Sequence, residues 1–183
     1  MKKIFLTLTF ILLITGCSSK RYYTLGDTSD IQAEENCTKI IAIEKVGIPK
    51  YLKDSTIVKQ ISPYQVELIK DANWLMPMQK HLTNVLISYL QKSLNNPNIY
   101  LYPWESTKET DKKISLKIKR FIAYNNEVIL DASYQITNLK SKTNTTKLFS
   151  TKIETSDDIE SVMKAMEKAY FELSNNIKNE ITK

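Results

Sequence analysis

The chain has 183 residues, 42% of them hydrophobic and 25% charged, with a formal net charge of +6. That is enough apolar chain for one domain with its own core. Basic and acidic residues are interleaved with no run of five like charges, which excludes an electrostatic nucleic-acid site, and three scattered glycines exclude a glycine-rich phosphate loop.

Lys2 and Lys3 open the chain with positive charge, and Ile4 to Ile14 follow as an apolar run broken only by Thr7 and Thr9. The run is eleven residues long, well short of the ~20 that span a bilayer as a helix. Small residues then lead to Cys17. This is the layout of a secretory signal peptide over residues 1–16. Ile14-Thr15-Gly16-Cys17 has the form of a bacterial lipobox, with cleavage between Gly16 and Cys17. The Cys17 thiol is expected to carry a diacylglycerol and the new amine an acyl chain. Several chains on one residue make anchoring stable, because each buried CH₂ contributes roughly 0.8 kcal/mol. No other cofactor is expected. Cleavage removes Lys2 and Lys3, leaving a mildly basic mature chain.

Residues 17–38 read as an acylated cysteine and a polar tether. Tyr22, Tyr23 and Leu25 form one apolar patch in it, fit to dock on the domain or lie at the membrane interface. Cys37 is left without an internal disulfide partner, so the fold must hold by its core.

A single domain is expected over residues 39–183. Ile40, Ile41, Ile43 and Val46 predict a buried first strand, ended by Gly47-Ile48-Pro49. Thr56 to Ser62 predicts a second strand, broken by Pro63. Gln65 to Ile69 predicts a third, with Val66 and Leu68 on one face. Pro77 opens a helix, where its missing N–H costs little. Met78, Leu82, Val85, Leu86, Tyr89, Leu90 and Leu94 give that helix one apolar stripe, and Asn95-Asn96-Pro97 stops it. Ile99 to Tyr102 is a short strand.

Ile114, Leu116 and Ile118 then alternate with polar residues, as do Val128, Leu130, Ala132, Tyr134 and Ile136. Asn125-Asn126 between the two runs suits a hairpin turn. The phase slip from Ile118 to Phe121 predicts a bulge near Arg120. Lys147 to Glu154 completes a meander after a polar loop over Lys140 to Thr145. A last helix, capped by Ser156 or Asp157, carries Ile159, Val162, Met163, Met166, Ala169, Tyr170, Leu173, Ile177 and Ile181 on one face. The sum is an α+β domain, a mostly antiparallel sheet with two helices on one face.

The chemistry of a catalytic or metal site is not visible. His81 sits beside an apolar stripe with no second ligand at metal-binding spacing. Glu154, Asp157, Asp158 and Glu160 open a helix, which capping explains. Asp71 reads as a solvated loop carboxylate. The chain is therefore expected to be non-enzymatic. Tyr51, Leu52, Trp74, Leu75, Met76, Tyr102 and Trp104 fall in or near turns, where apolar side chains serve either contacts or peripheral packing.

Three segments share a pattern. They are Tyr22-Tyr23-Thr24-Leu25 shortly after the lipobox, Val46-Gly47-Ile48-Pro49-Lys50-Tyr51-Leu52 after the first strand, and Asn73-Trp74-Leu75-Met76-Pro77-Met78 before the helix. In that order they resemble the ABC-type transport auxiliary lipoproteins, the family of the paraquat-inducible protein C lipoprotein. Leu75 stands where the family has a small alanine and Met78 where it has leucine. The resemblance implies a lipoprotein on the periplasmic face of the outer membrane. It would dock an MCE-domain protein and its ABC permease complex in intermembrane lipid transport. Ser18 after the cysteine agrees with outer-membrane sorting. The resemblance also implies a fold similar to the amino-terminal domain of the Tol-system β-propeller protein, and assembly into homo-oligomers. Tyr22, Tyr23, Leu25, Pro49, Tyr51, Leu52, Trp74 and Pro77 are the expected partner or lipid contacts. Two other readings compete: a lipid-binding periplasmic shuttle, and a structural envelope lipoprotein assisting cell-wall synthesis or outer-membrane assembly.

Overall fold

A computed structural model describes residues 19–103 and 109–183; the signal peptide, the expected cleavage position at Gly16 and Cys17, and Trp104 lie outside the described residues. Period-two and helical patterns resolve in chain order into β1 (Arg21–Tyr23), β2 (Ile41–Ile43), a 3-10 turn (Lys50–Leu52), β3 (Thr56–Ser62), β4 (Gln65–Trp74), α1 (Met78–Ser93), β5 (Ile99–Leu101), β6 (Lys112–Tyr124), β7 (Glu127–Asn138), β8 (Thr143–Glu154) and α2 (Ile159–Thr182).

The expected meander is present. β6 pairs antiparallel with β7, and β7 with β8. Asn125 (φ 49°) and Asn126 (φ 57°) turn the first hairpin in the left-handed region that Asn tolerates best after Gly. The register slips between Ile118 and Arg120, where the phase change predicted a bulge. β8 starts at Thr143, earlier than the polar composition indicated, because strand pairing with β7 supplies what side-chain pattern does not.

The sheet as a whole is mixed, which corrects the expectation of a mostly antiparallel one. β6 is its spine. Its first residues pair in parallel with β2, and Ala123 near its end pairs in parallel with Lys59 of β3. Gly47 bridges the space between, its N–H donating to Leu116 O (2.8 Å) while its carbonyl accepts from Ile118 N–H (2.8 Å). β2 also pairs in parallel with β5, and β1 with β4. β3 and β4 form an antiparallel hairpin, and β4 runs on to Trp74, beyond the strand expected over Gln65 to Ile69. Asp71 therefore lies inside a strand, at φ 58°, and is no loop carboxylate.

Both helices contribute their stripes to one core, with the inward positions of β6 and β7. The Tyr170 hydroxyl of α2 donates to Leu82 O of α1 (2.8 Å), and its ring stacks on Phe121. Full burial pushes that phenol far above its usual pKa. The cap of α2 is Asp158, not Ser156 or Asp157: its carboxylate accepts from Ser161 N–H (2.9 Å) and from the Ser156 hydroxyl (2.5 Å). At the other end the buried Lys112 ammonium donates to Ile181 O (2.6 Å) and satisfies a terminal carbonyl. Among the described residues no helix is long and apolar enough to cross a membrane.

Residues 21–38, expected to be a polar tether with one patch fit to dock on the domain, are docked well beyond that patch. They form a strap across the domain. β1 adds to the sheet, Leu25 is buried, and Ile31 and Cys37 pack against the core. Further on, Glu34 N–H and Glu35 N–H donate to Ser93 O (3.0 and 3.3 Å), and Cys37 N–H donates to Leu94 O (3.0 Å). These bonds occupy carbonyls at the end of α1 that would otherwise lack partners. Glu34 also pairs with the buried Lys178 of α2. The strap was illegible because its apolar residues follow no period. It is held by backbone bonds instead.

Candidate functional site

The three sequence motifs converge on the junction of β1, the end of β4 and the first turns of α1. Leu75 N–H donates to Tyr23 O (2.9 Å), so the Tyr-Tyr-x-Leu segment is tied directly to the turn after Trp74. Trp74 N–H donates to Ser55 O (2.6 Å). The Val46 backbone is gripped from α1: its N–H donates to Thr83 Oγ1 (3.0 Å), and its carbonyl accepts from Gln79 Nε2 (3.0 Å). The Tyr51 phenol oxygen accepts from Phe121 N–H (2.8 Å) beside the β6 bulge, and burial raises its pKa.

His81 locks the strap to this junction, a role that its lone position beside an apolar stripe did not disclose. Nε2 lies 2.6 Å from Leu25 O and 3.1 Å from Thr24 Oγ1. Nδ1 lies 3.1 Å from the Met76 sulfur. Leu25 N–H also approaches Nε2 at 3.3 Å, so both backbone groups of Leu25 face the ring. The strap then turns at Gly26, whose N–H donates to Glu167 of α2 (2.5 Å).

Burial sorts the expected contact residues. Leu25, Leu52 and Trp74 are core side chains, so their motifs serve packing and not a surface. Tyr23, Pro49 and Tyr51 are half-buried. Tyr22 and Pro77 are exposed, and Leu75 and Met76 join Pro77 in an apolar turn open to solvent. This turn is held rigidly, because Trp74 before it and Met78 after it are buried. A second exposed apolar group occupies the far end of the β3–β4 hairpin: Ile61, Tyr64, Val66 and Leu68. Sequence pattern had placed Val66 and Leu68 on one strand face but not in solvent.

A groove of about 300 Å³ opens beside α1, lined by Lys45, Gln79, Lys80, Thr83, Asn84 and Leu101. Most of its lining surface is apolar, supplied by Leu101 and the carbon portions of otherwise polar side chains. Among the described residues no three His, Cys, Asp or Glu side chains are placed to hold a metal ion. Of the acidic residues around the start of α2, Asp158 caps it and Glu160 lies in its first turn.

Two solved structures share this fold. An uncharacterized protein superposes with a TM-score of 0.73 at 19% identity, over 89% of this chain and 99% of its own. Protein XCC0632 from Xanthomonas campestris, of the DUF330 family, gives 0.70 at 13% identity, over 86% of this chain and 92% of its own. Neither supports the expected likeness to the amino-terminal domain of the Tol-system β-propeller protein. No curated protein matches the sequence. Residues 1–18 match the prokaryotic membrane lipoprotein lipid attachment site. Residues 23–178 match the ABC-type transport auxiliary lipoprotein component, from the strap's second tyrosine to the last turns of α2. The chain is thus a membrane-anchored lipoprotein and belongs to the ABC-type transport auxiliary lipoprotein family.

Proposed function

We propose that this lipoprotein is the docking component of an MCE-type intermembrane lipid transport system, acting without catalysis. Cys17 is cleaved from Gly16 and acylated, and it holds the protein on the periplasmic face of the outer membrane. The domain receives an MCE-domain protein connected to an ABC permease. The observation that carries this reading is the turn Leu75-Met76-Pro77, apolar and exposed yet fixed between two buried residues. A preformed apolar projection loses little conformational entropy on binding, which suits a protein partner. The family match to an auxiliary component of transport supports the same role.

The test is a photocrosslinking amino acid at Leu75 in the full chain, tagged at the C-terminus and expressed in its own membranes. Recovery of an MCE-domain protein from Leu75, and not from a control at Leu148 on β8, is the expected outcome. Recovery of cell-wall synthases or outer-membrane assembly proteins with no MCE partner would overturn the reading.

A further inference from the structure

The β3–β4 hairpin overruns the sheet. β3 pairs with β6 at Lys59, opposite Ala123, and the hairpin runs on past that pair to its tip. Tyr64 at the tip is 99% exposed and Leu68 63% exposed, and Ile61 and Val66 are exposed with them. Val58 pairs with Leu68 and Gln60 with Val66, so Val66 and Leu68 share one face of the hairpin below the exposed Tyr64 at its tip. An apolar hairpin end of this kind is costly in water and needs an occupant.

The direction of the N-terminus identifies that occupant. β1 runs parallel to β4, with Arg21 opposite Ala72 and Tyr23 opposite Trp74. Traced backward from Tyr23 to Arg21, β1 therefore runs along β4 toward the hairpin tip. Three residues lie between Cys17 and Arg21, so the two are four Cα–Cα steps apart, a reach of at most about 14 Å. From Ala72 the hairpin extends to Gln65, roughly 23 Å in the same direction. A bilayer that holds acyl chains on Cys17 lies within reach of the tip. Lys20, Arg21 and Lys70 are exposed toward the hairpin base, on the water side of the headgroups that the tip would enter, where they attract anionic lipid. A tyrosine flanked by aliphatic side chains suits the interface between headgroups and acyl chains.

We propose that the end of the β3–β4 hairpin is a second membrane contact, seated in the headgroup region of the same anionic bilayer that carries the anchor. The proposal rests on acylation of Cys17. Together the two attachments fix the domain's orientation and point the Leu75-Met76-Pro77 turn, at the opposite end of β4, away from the lipid.

The test uses acylated full-length protein in phosphatidylethanolamine–phosphatidylglycerol vesicles. An environment-sensitive fluorophore is placed at Tyr64→Cys or Leu68→Cys, with Leu148→Cys as the control, each with Cys37→Ser. Doxyl-labelled lipid should quench the probes at 64 and 68 about twofold or more and leave 148 unchanged. An acylated protein whose probe at 64 remains unquenched overturns the proposal alone. Emission from 64 that ignores doxyl lipid but shifts with protein concentration would assign the hairpin to a second copy, and likewise overturns it. Absence of the acyl mass on Cys17 removes the anchor reading, and this proposal with it.

Discussion

Gly26 shows how much of the strap depends on single positions. Its φ of +86° is open to glycine and strained for L side chains, and a Cβ built there would meet Val85 Cγ2 at 2.4 Å. Gly26→Ala should destabilise the protein by about 2–3 kcal/mol, combining backbone strain with overpacking. Chemical denaturation measures it. Adding Val85→Ala should recover part of that loss, and strict additivity in the double-mutant cycle would show that the contact with Val85 plays no part. His81 belongs to the same scale. From sequence it was a boundary residue, because nothing in a one-dimensional pattern discloses that a helix position lies under a strap joined 56 residues earlier.

At the scale of elements, the α2 cap has a pH signature. Hydrogen bonds from Ser156 and Ser161 hold the Asp158 carboxyl well below the usual carboxylate range. A lowered folded-state pKa means that its stabilisation is complete above the ordinary aspartate pKa of ~3.9 and is lost as pH falls through the folded value. The melting temperatures of wild type and Asp158→Ala should therefore differ most near neutral pH and converge in strong acid. A gap that widened on acidification would contradict the capping role. Elements were legible where contacts were local. The β6–β7 hairpin, its Asn-Asn turn and its bulge follow from alternation and phase, because each residue's partner lies a few positions away. β2 is three residues, all buried, and pairs with strands far along the chain, so it offers no alternation and no turn from which to read parallel neighbours. The hairpin end misled in a different way. Val66 and Leu68 carry the pattern of a core face, but it is their neighbour Ile69, on the other face of the strand, that packs against the core. Of the expected contact residues, Leu25, Leu52 and Trp74 are core side chains, whereas Tyr22 and Pro77 are exposed. A family motif does not separate residues that pack from residues that touch.

For the whole molecule, the strap makes residues 21–38 part of the cooperative unit. Hydrogen exchange should show the amides of Gly26, Glu34 and Cys37 protected to a level close to that of α1, whereas a tether would exchange within seconds. A chain beginning at Lys39 would leave the Leu25 site empty and the α1 carbonyls unpaired, a loss of about 3–5 kcal/mol by burial and hydrogen-bond values. A melting temperature unchanged by that truncation would return the segment to the status of a linker.

The parallel pairing of β1 with β4 also has a mechanical consequence. Under the proposed docking role, a pull on the domain against its lipid anchor loads the chain through its N-terminus. Here the load enters β1 along the strand axis. Its three residue pairs with β4 resist together, in shear, where a perpendicular pull would open them one at a time. Behind them, the His81 contact at Leu25 and the Glu34–Lys178 pair take up the force before it reaches the core. The strap therefore acts as a strain relief between lipid anchor and domain.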